Sequence, residues 1–327
     1  MAGSGDVALT EYHAVRQRPL LAFRGTRYRF QPQRPYQTAV PISRTAYNAR
    51  RFFGVLVMST EDPRFAGVAR LYGIEGLERL RAAHVAVVGI GGVGSWAAEA
   101  MARCGVGEIS LFDLDDVCVS NSNRQLHALS STIGRSKVDV MADRIREINP
   151  DCVVHAVADF VTRETMADYI TPDIDCVLDC IDSVNAKAAL IAWCKRRKIQ
   201  IITTGGAGGQ IDPTQIQVCD LNRTYNDPLA SKVRSTLRRD YGFSRTVTRH
   251  YSVPCVFSTE QLRYPKPDGS ICLQKSFVGD GVKLDCAGGF GAVMMVTATF
   301  GMVAATKAVE KIVAGMRRPS ERVKAND

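Results

Sequence analysis

Apolar positions fall into two patterns that alternate along the chain. In short runs they stand side by side, and in the stretches between they recur every three or four residues. The runs Val85 to Val88, Ile109 to Phe112, Val153 to Val157, Cys176 to Cys180 and Ile199 to Thr203 predict strands buried on both faces. Trp96, Ala97, Ala100, Met101 and Cys104 lie at helical spacing between the first two. Further helices are predicted over 70–82, 135–148 (stopped by Asn149-Pro150), around Glu164 to Tyr169, and over 228–240, with another strand at Thr214 to Val218. The longest uncharged apolar stretch, 287–306, approaches the length of a membrane span. Its glycines, its threonines and its lack of an aromatic belt predict instead a buried helix that closes the domain. Strand and helix alternating in this way predict an α/β fold, a doubly wound, Rossmann-like and mostly parallel sheet with an elaborated C-terminal half.

The first strand feeds Gly89, Gly91, Gly92 and Gly94. A Cβ in such a turn would hold the chain away from a phosphate resting on the free N–H groups of the following helix. The second strand ends on Asp113, at the sheet edge where ribose hydroxyls are read. Up to that point an ordinary dinucleotide-binding unit reads as well. The chain then continues as DLDDVCVSNSNRQ and, after a turn at Gly134, reaches Lys137. A triphosphate needs positive charge along its length, and Arg124 and Lys137 supply it, so the predicted nucleotide is ATP.

Composition changes this picture in three ways. With 327 residues, 46% of them hydrophobic, the chain can bury a sizeable core. The formal charge of +9 suggests nucleic acid, but residues 1–57 hold nine Arg, no Lys, one Asp and one Glu, which leaves only +2 for the other 270. Any nucleic-acid surface on the body must therefore be local. The ten cysteines include no CxxC pair, which predicts a reducing, cytoplasmic setting and no structural zinc. Residues 1–57 lack helical or strand periodicity, and Met58 is the first Met after Met1. They are expected to be either a disordered extension or the product of a start placed too far upstream, ahead of a 58–315 domain and a polar 316–327 tail.

GIGGVG, DLDDVCVSNSNRQ, Lys137 and CIDSVNAK together resemble the adenylation domain shared by ubiquitin-activating and sulfur-carrier-activating enzymes. ARLYG at 69–73, TTGGAGGQIDPTQIQV at 203–218, CVFSTE at 255–260 and DCAGGFGA at 285–292 resemble one branch of it, the tRNA threonylcarbamoyladenosine dehydratases, in order over residues 60–315. That resemblance implies ATP and Mg²⁺ as cofactors and tRNA as substrate. It also implies a homodimer in which Arg70, or failing it Arg64, reaches the partner's ATP site. Asn121, Arg124 and Lys137 become phosphate contacts, Asp182 the Mg²⁺ ligand, and Asp113, Asp115 and Gln125 the rest of the nucleotide set, Gln125 chiefly as a loop-fixing side chain. Asp179, one strand step earlier, is read as holding the loop, and His127 as structural. Thioester-forming relatives make Cys255 and Cys286 candidate nucleophiles, with Cys286 the better placed, although each reads more readily as a buried small hydrophobe. A cysteine desulfurase or sulfur-acceptor partner is implied, while membrane association is not expected. The rival reading is an enzyme that adenylates the C-terminus of a ubiquitin-like or sulfur-carrier protein.

Two stretches stay open between readings. Gly205 to Gly209 are either a second phosphate loop or glycines that let backbone pass close to substrate. Between 222 and 252, Arg223, Lys232, Arg234, Arg238, Arg239, Arg245 and Arg249 interleave with Tyr225, Tyr241, Phe243 and Tyr251. This is either a solvated face or a tRNA patch in which Lys232, Arg234, Arg238 and Arg239 share one helix face, with 242–252 expected to be mobile until substrate binds.

Overall fold

The computed structural model describes residues 62–266, 268–273 and 290–315. Five parallel strands follow the predicted runs: β1 (His84–Val88), β2 (Glu108–Phe112), β3 (Val153–Val157), β4 (Cys176–Asp179) and β5 (Gln200–Thr204). β6 (Ile216–Asp220) and β7 (Pro254–Ser258) complete a seven-stranded sheet of order β3-β2-β1-β4-β5-β7-β6, in which only β6 runs antiparallel. β8 (Tyr264–Pro265) and β9 (Ile271–Cys272) form a small separate ladder. The central order is that of a doubly wound sheet.

The helices are α1 (Ala66–Arg81), α2 (Gly94–Arg103), α3 (Lys137–Ile148), α4 (Met166–Tyr169), α5 (Val184–Arg197), α6 (Pro228–Asp240) and α7 (Met294–Val313). Alternate residues of each central strand feed opposite cores. Val85, Val87, Ile109, Leu111 and Leu178 pack with Met101 of α2, Met141 of α3 and Phe300 of α7. Ala86, Val88, Phe112 and Val177 pack with Met166 of α4, Leu190 of α5 and Leu237 of α6. Helices on both faces explain why β1 and β4 read as unbroken apolar runs.

Three expectations change. β3 was predicted buried, yet as the edge strand it has one neighbour and Val153 is 53% exposed. The helix predicted over 70–82 begins earlier, at Ala66, and kinks at Gly73. The 287–306 stretch becomes α7, displaced toward the C-terminus and buried along Val296, Phe300, Ala304 and Ala308; no helix among the described residues is long and apolar enough to cross a membrane.

Candidate active site

Parallel strands send their C-terminal ends to one edge, and the predicted nucleotide residues collect there. β1 runs into Gly89, whose φ of +89° forms the turn and whose N–H donates to Phe112 O at 2.8 Å. A Cβ on Gly89 would stand 3.0 Å from Cys180 O, so the turn lies against the loop that carries Asp182. At Gly94 a Cβ would fall 1.8 Å from Gly89 O. Only glycine lets α2 start this close to the strand end.

Asp113 follows β2 and is buried. Its Oδ2 accepts from Ile90 N at 2.7 Å and its Oδ1 from Asp115 N at 3.0 Å, which ties the glycine loop to the next turn. Burial lifts its carboxyl above the usual carboxylate range, opposed by the Lys137 charge and those two N–H donors. Lys137 opens α3, is buried, and places Nζ 2.7 Å from Asp115 Oδ2 and 3.8 Å from Asp113 Oδ1. Arg124 lays its stem over Gly92, where a Cβ would meet Cγ at 3.1 Å, while Nη1 donates to Ser120 O and Asn123 Oδ1, both at 3.0 Å. Gln125 is buried beside Gly91, and its Oε1 has no partner among the described residues. Asn121 turns its Oδ1 to Cys118 N at 3.0 Å, and so shapes the loop from within. His127 is buried with neither ring nitrogen partnered among the described residues, and burial together with the Lys137 charge lowers its pKa to about 4. It is a neutral, enclosed imidazole.

Asp182 stands exposed in the loop after β4. Asp179 is the loop holder: it is fully buried, its Oδ1 accepts from Ile181 N at 3.3 Å, and Lys187 Nζ pairs with it at 2.9 Å. Lys187, 1% exposed on α5, also donates to Thr203 Oγ1 at 3.1 Å. Sequence reasoning missed it, although a lone Lys among Ala186, Ala188, Ala189 and Leu190 is the available signal. A buried pair like this costs about 3–5 kcal/mol when one member is removed.

The 205–209 glycines do not form a second phosphate loop, because no α-helix follows; the chain turns into β6. Asp227 Oδ2 accepts from Gly206 N at 3.0 Å, and Glu260 accepts from Ile211 N and Asp212 N at 3.0 and 2.9 Å. Asp227 also caps α6, a role signalled by the Asp-Pro pair at its start. Beside them a cavity of about 340 Å³ is lined by Asn226, Asp227, Ser231, Arg234, Glu260 and Tyr264.

The basic segment departs from expectation. Arg234 donates to Thr224 Oγ1, and Arg238 reaches Tyr251 Oη at 3.0 Å and Asn222 Oδ1 at 2.8 Å, so both are half-buried braces. Arg239 points elsewhere and pairs with Asp240 at 2.7 Å. Hydrogen bonds run along the 242–252 segment: Asn222 Nδ2 donates to the carbonyls of Thr246, Val247 and Arg249, and Tyr251 Oη to Ser244 O. Lys232, Arg239, Arg245 and Arg249 are exposed.

Of the remaining candidates, Arg70 is exposed on α1 and Arg64 pairs with Asp62 at 3.1 Å. Cys255 lies fully buried in β7, and burial pushes its thiol well above the ordinary value, which removes it as a nucleophile. Cys286 falls outside the described residues.

Residues 65–326 match the ThiF family. The chain belongs to the ThiF family. Two relatives share most of its length: the tRNA threonylcarbamoyladenosine dehydratase of Escherichia coli (strain K12) is 54% identical over 81% of this chain and 98% of its own. That of Haemophilus influenzae is 49% identical over 80% and 98%. The solved structure of TcdA (CsdL) superposes with a TM-score of 0.72 at 54% identity, covering 80% of this ThiF-family chain and 98% of that one. The E. coli enzyme in complex with ATP gives 0.69 at 52% identity, over 79% and 98%. In this ThiF-family chain the loop of Gly89 to Gly94 lies at the same sheet edge as Asp113, Arg124, Gln125 and Lys137.

Proposed function

We propose that this protein is a tRNA threonylcarbamoyladenosine dehydratase, which uses ATP to cyclise the threonylcarbamoyl side chain of the modified adenosine beside the anticodon. The reading is carried by one observation: the phosphate-type edge built from Gly89, Asp113, Arg124 and Lys137 belongs to a chain 54% identical to the E. coli dehydratase across 98% of that protein. The edge fits a nucleotide. A Cβ on Gly91 would meet only Gln125 Nε2, at 3.9 Å, so the loop has open space above it, and the buried Gln125 Oε1 offers an acceptor to whatever enters.

A carboxylate cannot expel hydroxide at neutral pH, so its oxygen must first become a leaving group. The threonyl carboxylate attacks the α-phosphate of ATP; a new O–P bond forms and pyrophosphate leaves. The neighbouring ureido group then attacks the activated carbonyl, the ring closes and AMP departs with the oxygen. Intramolecular attack reaches effective molarities of roughly 10⁵ to 10⁸ M, so no enzyme nucleophile is needed. Arg124 and Lys137 stabilise the charge that moves toward pyrophosphate, Lys137 by leaving Asp115 for a phosphate oxygen. Asp182 would hold Mg²⁺, which adds charge neutralisation at the phosphates when bound. No zinc of the paired-cysteine kind belongs to this proposal. The setting is the cytoplasm, where the tRNA is; a cysteine desulfurase partner enters only through the family resemblance.

The tRNA is placed against the exposed cations Lys232, Arg239, Arg245 and Arg249. tRNA carrying threonylcarbamoyladenosine is expected to stimulate exchange of labelled pyrophosphate into ATP. Asp182→Ala abolishes that exchange, and Gln at Arg245 and Arg249 raises the tRNA concentration it requires. Stimulation by a ubiquitin-like or sulfur-carrier protein, with none by tRNA, would move the chain to the rival branch.

We further propose a two-fold homodimer in which Arg70 completes the partner's site. Support comes from the apolar surface beside Arg70, where Leu71 is 80% exposed and Tyr72 and Ile74 stand out as well. Mixing inactive Arg70→Ala with inactive Lys137→Ala subunits should restore part of the activity; no recovery after verified exchange would show that Arg70 does not act in trans.

A further inference from the structure

At the N-terminal edge of the sheet, opposite the glycine loop, three strands bring two imidazoles and a carboxylate together. His84 opens β1 and Glu108 opens β2, side by side in register, and Ser110 pairs with His155 of β3. His155 Nε2 lies 2.9 Å from Glu108 Oε1, and His84 Nδ1 lies 3.7 Å from the same oxygen. Asp173 Oδ2, from the turn before β4, stands 3.3 Å from His84 Nδ1. One donor atom each from His84, Glu108 and His155 falls within 4.8 Å of the others.

His84 is buried, and its other ring nitrogen, Nε2, is 2.8 Å from Ser110 Oγ. With the ring proton on Nε2 and donated to Ser110, the Nδ1 lone pair faces two carboxylates. In that tautomer Nδ1 is free to bind a cation; in the other its proton pairs with Asp173 or Glu108. Protons can satisfy the cluster, since His155 Nε2 already lies 2.9 Å from Glu108 Oε1, whereas a metal ion uses lone pairs of both imidazoles and of the carboxylate at once. Imidazole with carboxylate suits zinc and its neighbours, while magnesium and calcium prefer oxygen alone. Zinc bonds of about 2.0–2.2 Å place tetrahedral ligands about 3.4 Å apart, inside the range of separations found here. Ser110 stands where metal-bound imidazoles are commonly oriented by a hydrogen bond on the far nitrogen. Glu108 and His155 are partly exposed, which leaves an ion a way in.

We propose that His84, Glu108 and His155 form a three-ligand site for one divalent transition-metal ion of the zinc type, its fourth position open to water, remote from the ATP edge and clasping β1, β2 and β3. The full chain, stripped with chelator, is titrated with Zn²⁺ by calorimetry and with Co²⁺ by absorption. One ion per chain is expected, with a cobalt spectrum free of thiolate charge transfer and a Tm that rises with zinc. His155→Gln and Glu108→Gln should each weaken binding at least tenfold and remove the Tm increment, while ATP turnover without zinc is retained. Ser110→Ala should weaken binding by about 10-fold to 100-fold. No stoichiometric binding to the wild type, a thiolate band, or wild-type affinity in both ligand variants would overturn the assignment.

Discussion

Burial holds the His127 imidazole neutral, the Lys137 charge acts in the same direction, and the pKa falls from 6.5 to about 4. Between those values the unfolded chain binds more protons than the folded one, so this group's contribution is complete above pH 6.5 and is lost as pH falls toward 4. From pH 7 to pH 5 the loss is about 2 kcal/mol. Denaturant titrations at the two pH values should show a smaller loss in His127→Gln than in wild type; an equal loss would mean that another group governs acid sensitivity. Residue types alone indicated a structural His127, since a His without an evident partner seldom acts as a base. Its enclosure beside Lys137 depends on how the 116–136 loop folds back, and no local pattern encodes that. Lys187 is a similar case: its position on an apolar helix is visible in the chain, but its partner Asp179 comes from another element.

At the scale of elements, Gly91 and Gly94 separate nucleotide binding from folding. A Cβ at Gly94 meets backbone at 1.8 Å, whereas one at Gly91 meets only a side-chain nitrogen at 3.9 Å. Gly94→Ala is expected to cost about 1–3 kcal/mol or more, because α2 must move off the strand. Gly91→Ala should keep wild-type stability and lose ATP affinity. Thermal melts with and without ATP measure both, and a stable Gly94→Ala, or a Gly91→Ala that binds ATP normally, would contradict the loop geometry. The strands were readable because helices on both faces demand unbroken apolar runs. The exposure of β3 was not, since a Val-rich run carries no record of whether it has one neighbour or two. Helix α6 was located by its spacing, but the contacts of its arginines were not: Asn222, Thr224 and Tyr251, outside the helix, draw Arg234 and Arg238 inward.

For the whole molecule, direction organises chemistry. Because β1, β2, β4 and β5 run parallel, the glycine turn, Asp113, Asp182 and the 205–209 glycines leave the sheet at one edge, while His84 and Glu108 begin strands at the other. That the glycine turn, Asp113, Arg124 and Lys137 would gather at one edge was legible beforehand, because they lie in compact motifs. The histidine cluster was not, since His155 lies 47 residues from Glu108 and only strand pairing joins them. The substrate itself was legible only through motifs spread in order along the chain, as the body carries too little net charge to announce RNA. Mass spectrometry of nucleosides from tRNA carrying threonylcarbamoyladenosine, incubated with the protein, ATP and Mg²⁺, tests the central claim most directly. The account predicts that the modified nucleoside becomes lighter by one water, that the change needs ATP, and that AMP and pyrophosphate appear with it. A nucleoside of unchanged mass, from a protein that still forms pyrophosphate with a carrier protein, would contradict it.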